Sequence, residues 1–216
     1  MTIYIDSAIF KEVKTAQSFG WVHGVTTNPI LLARAGGDPR VVLTTLTELK
    51  FKQVFYQLTA PTIDKMCAEV ELVSAIVGEA LVVKIPPTLT GFEFVSRHGD
   101  QFPCCVTAVY SPAQALVACQ AGARYVAVYV NRATRLMGNG FQLVQDVTNM
   151  LRGSQTELIA ASIKSSDEAC LSVQAGAQHL TLPFSVLTGL MSHPLSEATL
   201  EEFRAEGIGI QPAPII

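Results

Sequence analysis

The sequence predicts an α/β protein, a single (β/α)8 TIM barrel over residues 1–216 with an extra C-terminal helix. Eight short apolar or β-branched runs recur along the chain, and several are apolar throughout, as in parallel strands covered on both faces. Segments with helix start signals lie between these runs. The sequence Gln-Ala-Gly-Ala occurs at 120–123 and again at 174–177, each time just before a strand-like run. The spacing of 54 residues is two units of 27, and eight such units make 216, so eight strand–helix units fit the chain.

The predicted helices begin at recognisable caps between the strands. Asp38 and Ser111 each precede a proline at the first helical position. Thr62 opens an amphipathic helix, and Ser165 with Glu168 forms a capping box. The glycine of each Gln-Ala-Gly-Ala sequence ends a helix. The eight strands are predicted at Ile3–Ile5, Gly24–Thr27, Gln53–Leu58, Leu81–Ile85, Cys105–Val109, Tyr125–Val130, Leu158–Ile163 and His179–Leu182.

A doubly wound open sheet is the alternative architecture. That fold usually carries a glycine-rich loop after its first strand, where this chain has Asp6-Ser7-Ala8. The barrel is therefore expected over about residues 1–194. A helix over Ser196–Glu206 and an apolar, proline-containing tail occupy about residues 195–216, and the tail at 211–216 is either frayed or a strap onto a neighbouring subunit.

Composition excludes several classes of protein. The chain has a formal net charge of −3, with 49% apolar and 15% charged residues, which argues against a disordered chain and against nucleic-acid binding through a broad basic surface. No window is apolar enough to span a membrane, and an acid precedes the first lysines, unlike in a signal peptide, so a cytoplasmic location is expected. The five cysteines include no CxxC pair, and the four histidines show no ligand spacing, so neither a metal nor another cofactor is expected.

Lys84 is the most informative polar residue. It lies in the apolar run Leu-Val-Val-Lys-Ile-Pro, and no other charge occurs between Glu79 and Glu93. Strand alternation places it on one face with Val82. Burial without an adjacent acid disfavours the ammonium form and leaves an amine able to attack a carbonyl. The alternative is a lysine that reaches solvent from the strand end or pairs with a distant acid. Lys164, at the end of the seventh strand, is the rival nucleophile, but its polar neighbours favour a surface role.

The ends of the other predicted strands carry polar residues, which a barrel would bring to one mouth. Asp6 is a candidate acid/base or hydroxyl ligand, or else the N-cap of the next helix. Asn28 is a candidate hydroxyl ligand, although Asn-Pro also marks a turn on its own. Gln57 either orders a water or binds substrate. Tyr129 is expected to point inward with Ala127, a candidate substrate contact, and is either a core residue or a catalytic one.

A candidate phosphate pocket follows the sixth strand. Arg132 and Arg135 lie close together there, and Ser162 with the loop at 138–140 would complete the pocket. The alternative is a solvated loop. Thr26 and Thr107 complete the set of polar residues at strand ends.

Seven short motifs occur in one order along nearly the whole chain, between positions 4 and 183. They are Tyr4-Ile-Asp6, Gly24-Val-Thr-Thr-Asn-Pro29, Val82-Val-Lys84-Ile-Pro86, Thr107-Ala-Val-Tyr110, Tyr129-Val-Asn-Arg132, Ala161-Ser162 with Lys164, and Thr181-Leu-Pro183. Together they resemble the transaldolase family, and most of all its short members, the fructose-6-phosphate aldolases. The resemblance implies that Lys84 forms a Schiff base with a ketose or ketone donor. It also implies that Asp6 and Asn28 contact donor hydroxyls, that Asp6 assists proton transfer, and that Arg132 and Ser162 hold the acceptor's phosphate.

Two positions distinguish aldolases from transaldolases within this family. At these positions, on the third and sixth strands, the resemblance assigns glutamate and phenylalanine to transaldolases but glutamine and tyrosine to aldolases. This chain has Gln57 and Tyr129 there. With Thr107 these side chains would hold a water that serves proton transfer. The predicted activity is therefore class I (Schiff-base) aldolase cleavage of fructose 6-phosphate to free dihydroxyacetone and glyceraldehyde 3-phosphate. A transaldolase that transfers the dihydroxyacetone unit between sugar phosphates is the alternative, and a non-catalytic phosphosugar-binding barrel is a further one.

The expected partners are a small sugar phosphate and a ketone of the dihydroxyacetone type, with no nucleic acid and no membrane. The apolar composition and C-terminal segment favour a homo-oligomer, and the resemblance suggests a decamer of two pentamers.

Cys104-Cys105 depart from the aldolase pattern, and Cys105 would share inward parity with Thr107 and alter the donor pocket.

Overall fold

A computed structural model, which describes residues 1–210, shows a closed barrel of eight parallel strands in chain order, with the last strand paired to the first. The strands are β1 Thr2–Asp6, β2 Gly24–Thr26, β3 Gln53–Gln57, β4 Leu81–Ile85, β5 Cys104–Val109, β6 Tyr125–Tyr129, β7 Glu157–Ala161 and β8 His179–Leu182. The helices are α1 Phe10–Ser18, α2 Pro29–Ala35, α3 Pro39–Thr47, α4 Ile63–Val77, α5 Leu89–His98, α6 Pro112–Gln120, α7 Val130–Met137, α8 Gly140–Met150, α9 Ser166–Gln174, α10 Phe184–Gly189 and α11 Pro194–Glu206. The predicted barrel with a C-terminal helix is confirmed, whereas the predicted tail at 211–216 lies outside the described residues.

Two separate apolar clusters divide the side chains of the strands. The larger cluster packs the outer face of the barrel against the helices, and it contains Val83 and Ile85. The smaller one fills the barrel interior, and its members are Tyr4, Phe55, Val82, Cys105, Tyr125, Ala127, Ile159 and Ala161, with Tyr129 packed against them. The predicted alternation is therefore confirmed: Cys105 lies on the inner face, as predicted, and Cys104 lies on the outer one.

The register of the strands brings their last residues to one level. Asp6 pairs with Thr26 across the first two strands. Gln57 pairs with Lys84, and Lys84 pairs in turn with Cys105 on the next strand. Because all strands run in the same direction, these residues meet at the C-terminal mouth of the barrel, where sites in this fold are built.

Several boundaries differ from those predicted, and the backbone explains them. Glycines with positive φ at Gly36 (78°) and Gly138 (94°) end α2 and α7, so two of the strand–helix connections contain a second helix. β2 ends at Thr26. β7 covers Glu157–Ala161 instead of Leu158–Ile163, because the next residue, Ser162, has a left-handed φ of 61° that turns the chain out of the strand.

The helix caps follow the sequence in most respects. The side chains of Asp38 and Ser111 accept backbone hydrogen bonds at the starts of α3 and α6, as predicted. The predicted capping box is only half formed. Ser165 Oγ accepts from the N–H of Glu168 at 3.1 Å, but the Glu168 carboxylate accepts from the N–H of Lys164 at 2.7 Å. The glutamate therefore fixes the turn that follows β7.

The C-terminal helix α11 begins at Pro194, two residues before the predicted start, and none of its residues is buried. Its apolar side chains are exposed, among them Leu200 and Phe203, at 50% and 66%. Within residues 1–210, no helix combines the length and the apolar character needed to cross a bilayer.

Candidate active site

A cavity of about 470 Å³ opens at the C-terminal mouth of the barrel. Its wall is built from the last residues of the strands and from the segments that follow them. Of the ten residues predicted for the site, all but Thr107 line this cavity, namely Asp6, Thr26, Asn28, Gln57, Lys84, Ala127, Tyr129, Arg132 and Ser162.

Lys84 stands in the wall of this cavity on a strand whose five residues are all buried. Its side chain is 5% exposed, and Nζ donates a hydrogen bond to the backbone carbonyl oxygen of Thr27 at 2.9 Å. Among residues 1–210, no carboxylate lies within salt-bridge distance of this amine. The amine is therefore held by one neutral acceptor, so the alternative of a lysine paired with a distant acid is wrong for the described part of the chain.

Asp6 ends β1, and its carboxylate accepts a hydrogen bond from a chain of two threonine hydroxyl groups. Thr26 Oγ1 donates to Asp6 Oδ1 at 2.7 Å. Thr181 Oγ1 lies 2.5 Å from Thr26 Oγ1, and it must be the donor there because the single hydroxyl hydrogen of Thr26 goes to Asp6. This chain orients the carboxylate across the seam between the first and last strands. The alternative role of Asp6 as an N-cap is wrong, because α1 begins at Phe10 and its N-cap residue is Ile9, with no side-chain cap.

Asn28 both caps a helix and lines the cavity. Its Oδ1 accepts hydrogen bonds from the N–H groups of Ile30 and Leu31, both at 3.0 Å, and so caps α2. The capped turn predicted from Asn-Pro is confirmed. Because the cap occupies the amide oxygen, the amide NH2 group is the part of Asn28 that can donate to a ligand.

Gln57 and Tyr129 both line the cavity. Gln57 lies on β3 and Tyr129 on β6, so they flank Lys84 on β4 from its two sides. The ring of Tyr129 packs edge-to-face on Tyr110, with 6.0 Å between the ring centroids. Thr107 lies on β5 between these two walls. It is 1% exposed, and its hydroxyl has no hydrogen-bond partner among the described residues. A buried hydroxyl without a protein partner is a position at which a water is expected.

Two residues of the cavity wall have strained backbones. Ala108, at a register shift near the end of β5, has a φ of 56°, and Ser162, just after β7, has a φ of 61°. A residue with a Cβ atom pays roughly 1–2 kcal/mol for this conformation. Such strain is concentrated at functional sites, where the surrounding structure enforces it. Both residues line the cavity, which supports its assignment as the site.

Arg132 lies in the first turn of α7, not at the end of a strand. Its guanidinium carbon is 5.2 Å from the centroid of the Tyr129 ring, so the two side chains hold one another at the mouth of the cavity. The predicted contribution of the loop at 138–140 is wrong: this loop is the turn between α7 and α8, and the side chain of Asn139 caps α8. Neither this loop nor Arg135 is part of the cavity wall as the structure describes it.

Burial suppresses ionisation of the thiol beside Lys84. Burial raises the pKa of Cys105 to about 12, although the nearby ammonium group of Lys84 acts in the opposite direction. Cys105 lines the cavity, as the sequence predicted from its parity. It is therefore a neutral, small side chain in the wall next to the amine.

Sequence reasoning overlooked two polar residues of this wall. Thr181 belongs to the chain that orients Asp6, and its inward alternation on β8 was the available signal. Arg34 lies on α2, four residues after Ile30, which also lines the cavity, and this helical spacing was the available signal. Lys164 is exposed, as expected, but it also contributes to the wall.

Comparison with known proteins agrees with the fold and the motifs. The family model described as Transaldolase/Fructose-6-phosphate aldolase matches residues 3–211. Over 206 residues the chain is 34% identical to the "Probable transaldolase" of Aquifex aeolicus, with 94% of each chain covered. It is 35% identical over 213 residues to the "Probable transaldolase" of Lactiplantibacillus plantarum, with 95% of this chain and 96% of the relative covered.

A solved structure of thiamine phosphate pyrophosphorylase from Pyrococcus furiosus superimposes with a TM-score of 0.61 and covers 96% of this chain and 97% of its own. At 17% identity it demonstrates a shared fold alone. The family match covers nearly the whole chain, and the relatives match it end to end. The chain therefore belongs to the Transaldolase/Fructose-6-phosphate aldolase family.

Proposed function

We propose that this enzyme forms a Schiff base between Lys84 and the carbonyl carbon of a dihydroxyacetone unit carried by a sugar phosphate. The observation that carries the proposal is the environment of the amine, which is buried in the cavity wall and held by a single backbone carbonyl. An amine without a carboxylate partner can attack a ketone, and loss of water then leaves an iminium ion. The iminium withdraws the electron pair of the adjacent carbon–carbon bond as that bond breaks.

Asp6 is the proposed group for proton transfer at the substrate hydroxyls. Bond cleavage turns the C4 hydroxyl of the ketose into an aldehyde, so its proton must leave. The carboxylate of Asp6 accepts a hydrogen bond from Thr26 on Oδ1, and among residues 1–210 its other oxygen forms no side-chain bond. That oxygen is available to a substrate hydroxyl. The NH2 group of Asn28 would contact a further hydroxyl of the same donor.

Arg132 and Ser162 are the proposed contacts for the phosphate of the substrate, and Ala127 supplies apolar wall between them and Lys84. The guanidinium of Arg132 is exposed and stacked on Tyr129, so it can present its fork of N–H donors to an anion. The backbone of Ser162 turns sharply after β7, which directs the following segment around the mouth.

The three-carbon enamine left after cleavage has two possible fates, and the names of the relatives favour transfer. Both quoted relatives are named probable transaldolases, so transfer of the unit to an aldose phosphate is the first candidate function. Release as free dihydroxyacetone is the second candidate. Gln57, Tyr129 and the unpartnered hydroxyl of Thr107 support it, because these polar groups would hold the water that release requires.

One experiment tests the shared step. Incubation with fructose 6-phosphate and borohydride should leave a three-carbon adduct on the peptide that contains Lys84. A second assay then measures free dihydroxyacetone alongside sedoheptulose 7-phosphate formed from added erythrose 4-phosphate. Absence of any adduct would end the proposal and leave the non-catalytic sugar-phosphate-binding barrel in its place.

A homo-oligomer is a further part of the proposal. The apolar side chains of α11 do not pack on their own barrel, since Leu195, Leu200 and Phe203 are 72%, 50% and 66% exposed. Exposed apolar helix faces mark contact surfaces, so we expect a second copy to cover this one, up to the decamer that the sequence resemblance suggests. Sedimentation analysis should show Phe203→Asp as a smaller species than the wild type, while Glu202→Ala on the same helix keeps the wild-type mass.

A further inference from the structure

The carboxylate of Glu168, on α9, joins two loops at the mouth of the barrel. Its Oε1 accepts a hydrogen bond from the side-chain amide of Asn131 at 2.6 Å. Its Oε2 accepts from the backbone N–H of Lys164 at 2.7 Å. Asn131 belongs to α7, which follows β6, whereas Lys164 belongs to the turn after the neighbouring strand β7. One carboxylate, here called the Glu168 bridge together with these two contacts, thus ties two strand–helix connections to each other.

Each of these connections carries one of the proposed phosphate contacts. Asn131 immediately precedes Arg132 in the first turn of α7. Lys164 lies two residues after Ser162. Both phosphate contacts line the cavity, whereas Glu168 and Asn131 are not part of its wall over residues 1–210. The bridge can therefore influence a bound phosphate only through the residues that it holds.

The start of α7 lacks a side-chain cap of its own. The side chain of its N-cap residue, Tyr129, makes no capping hydrogen bond, and the first turn contains no acidic residue. Helix ends without caps leave backbone N–H groups unpaired and fray. The bond from Asn131 to Glu168 tethers this turn from outside the helix, and it places a negative charge near the helix end that favours one. The tether restricts the backbone that carries Arg132.

The turn after β7 needs external support for a different reason. Ser162 adopts a left-handed φ of 61°, and such a conformation persists only where the surrounding structure enforces it. The next residue, Ile163, is fully buried, and the N–H group of Lys164 is held by Glu168. The backbone that follows Ser162 is thus anchored at two consecutive residues.

Glu168 is itself fixed within α9. Its N–H group donates to Ser165 Oγ at 3.1 Å, and its carbonyl oxygen accepts from Ser172 Oγ at 2.6 Å. Ser172 is fully buried, as is Ala169 next to the glutamate. The helix therefore presents the carboxylate from a rigid element, which is what precise placement of a site requires.

Glu69, on α4, provides the comparison within the same barrel. Its carboxylate also holds a loop at the mouth, and it accepts hydrogen bonds from three residues, namely Tyr56, Thr59 and Ala60. All three lie at the end of β3 or between β3 and α4. Glu69 therefore fixes a single connection, whereas Glu168 fixes one connection relative to the next.

We propose that Glu168 is a positioning residue that sets the spacing between Arg132 and Ser162, so that both contact one phosphate group. The inference rests on the proposed function, in which these two residues hold the phosphate of the substrate. Charge-assisted hydrogen bonds to phosphate depend on geometry, and a displacement of about 1 Å caused by a distant change can cost about 100-fold. Loss of the bridge therefore weakens binding of a phosphorylated ketose and spares a ketone without phosphate.

Borohydride trapping at Lys84 tests this assignment whether the three-carbon unit is transferred or released. Fructose 6-phosphate and dihydroxyacetone are compared by the concentration that gives half-maximal adduct. In Glu168→Ala and in Asn131→Ala, that concentration should rise about 5- to 30-fold for fructose 6-phosphate and less than about twofold for dihydroxyacetone. Asn131→Ala removes a single hydrogen bond, so it carries the test if Glu168→Ala does not fold.

Three further variants distinguish positioning from a general loss of stability. Glu168→Gln should keep most of the selectivity, because its amide can accept from the N–H of Lys164 and donate to the oxygen of Asn131. Glu69→Ala removes a comparable carboxylate from a loop without a phosphate contact, and its ratio should stay within about twofold of the wild type. In an Arg132→Ala background, Asn131→Ala should change the ratio by less than about twofold, because no guanidinium remains to be positioned.

The outcomes separate this inference from the function on which it rests. If Arg132→Ala loses selectivity but both alanine variants of the bridge keep it, the role of Glu168 is overturned and the phosphate contact stands. An effect of Asn131→Ala that persists in full without Arg132 would overturn it as well. An unchanged ratio in Arg132→Ala would instead overturn the proposed phosphate site, and the inference with it.

Discussion

The amine of Lys84 donates a 2.9 Å hydrogen bond to the backbone carbonyl oxygen of Thr27, which links β4 to the turn that follows β2. The two strands are not neighbours in the barrel, because β3 lies between them. The contact therefore crosses β3 and holds Nζ beside the backbone that leads into Asn28 at the start of α2. It positions the amine without pairing it with a carboxylate, which would stabilise the protonated form that cannot attack a carbonyl.

Replacement of Lys84 by methionine should abolish the chemistry and leave the fold. Lys84→Met keeps the length of the side chain and removes the amine, so turnover is expected to fall by about 10³-fold or more because no covalent route remains. The borohydride adduct should disappear, while circular dichroism shows a folded barrel. Lys164→Met is the comparison and should keep the adduct, and an adduct that survives in Lys84→Met would reassign the nucleophile.

Thr26→Val should weaken proton transfer by breaking the chain from Thr181 to Asp6. The isosteric change removes the hydroxyl that touches both partners, at 2.7 and 2.5 Å. We expect kcat to fall about 10- to 100-fold, with a shifted pH profile, because Asp6 loses its orienting donor. Thr26→Ser keeps the hydroxyl and should restore most of the activity. A pH profile identical in Thr26→Val and the wild type would show that the chain has no part in catalysis.

Arg132→Ala should damage phosphate recognition selectively. The KM for glyceraldehyde 3-phosphate in the synthetic direction is expected to rise about 10- to 150-fold, which is the loss of a charge-assisted contact of about 1.5–3 kcal/mol. Non-phosphorylated glyceraldehyde should be affected far less. Arg135→Ala lies on the same helix but outside the cavity wall described here, and it serves as the control. Equal losses for both aldehydes would contradict phosphate binding by Arg132.

Ser162→Gly should separate stability from function. Glycine adopts the φ of 61° without the penalty of a Cβ atom, so the free energy of unfolding should rise by up to about 1 kcal/mol. The lost hydroxyl should still raise the KM for the phosphorylated substrate. Ser162→Ala keeps the strain and loses the hydroxyl, so urea titrations should place its unfolding midpoint below that of Ser162→Gly. Reversal of that order would mean that the backbone is relaxed at this position.

Tyr129→Phe should change the fate of the three-carbon unit. Phenylalanine cannot hydrogen-bond a water, so release of free dihydroxyacetone is expected to fall by about 100-fold, the size of one general acid–base contribution. Combination with Gln57→Glu should raise the ratio of transfer to release further. The assay measures dihydroxyacetone and sedoheptulose 7-phosphate in the same reaction. A ratio that stays constant in both variants would remove the two-residue argument for an aldolase.

The sequence by itself determined the architecture and most of the site. Apolar runs bounded by caps and glycines specify strands and helices locally, and alternation assigns each strand residue to the inner or outer face. Parallel strands then bring their last residues to one mouth, which is why the sequence predicts Asp6, Gln57, Lys84 and Tyr129 together there. The family followed from motifs that span nearly the whole chain.

Tertiary structure alone decided the contacts between distant segments. Thr181 and Thr26 are 155 residues apart, and they meet only because the barrel closes β8 onto β1. That the hydroxyl of Thr107 lacks a hydrogen-bond partner among residues 1–210 depends on how all the surrounding strands pack. Arg34 enters the cavity because the glycines after it end α2 and leave its last turn over the mouth. Local sequence carries periodicity and capping, whereas these contacts depend on strand closure and on how each connection crosses the rim, which no short segment specifies.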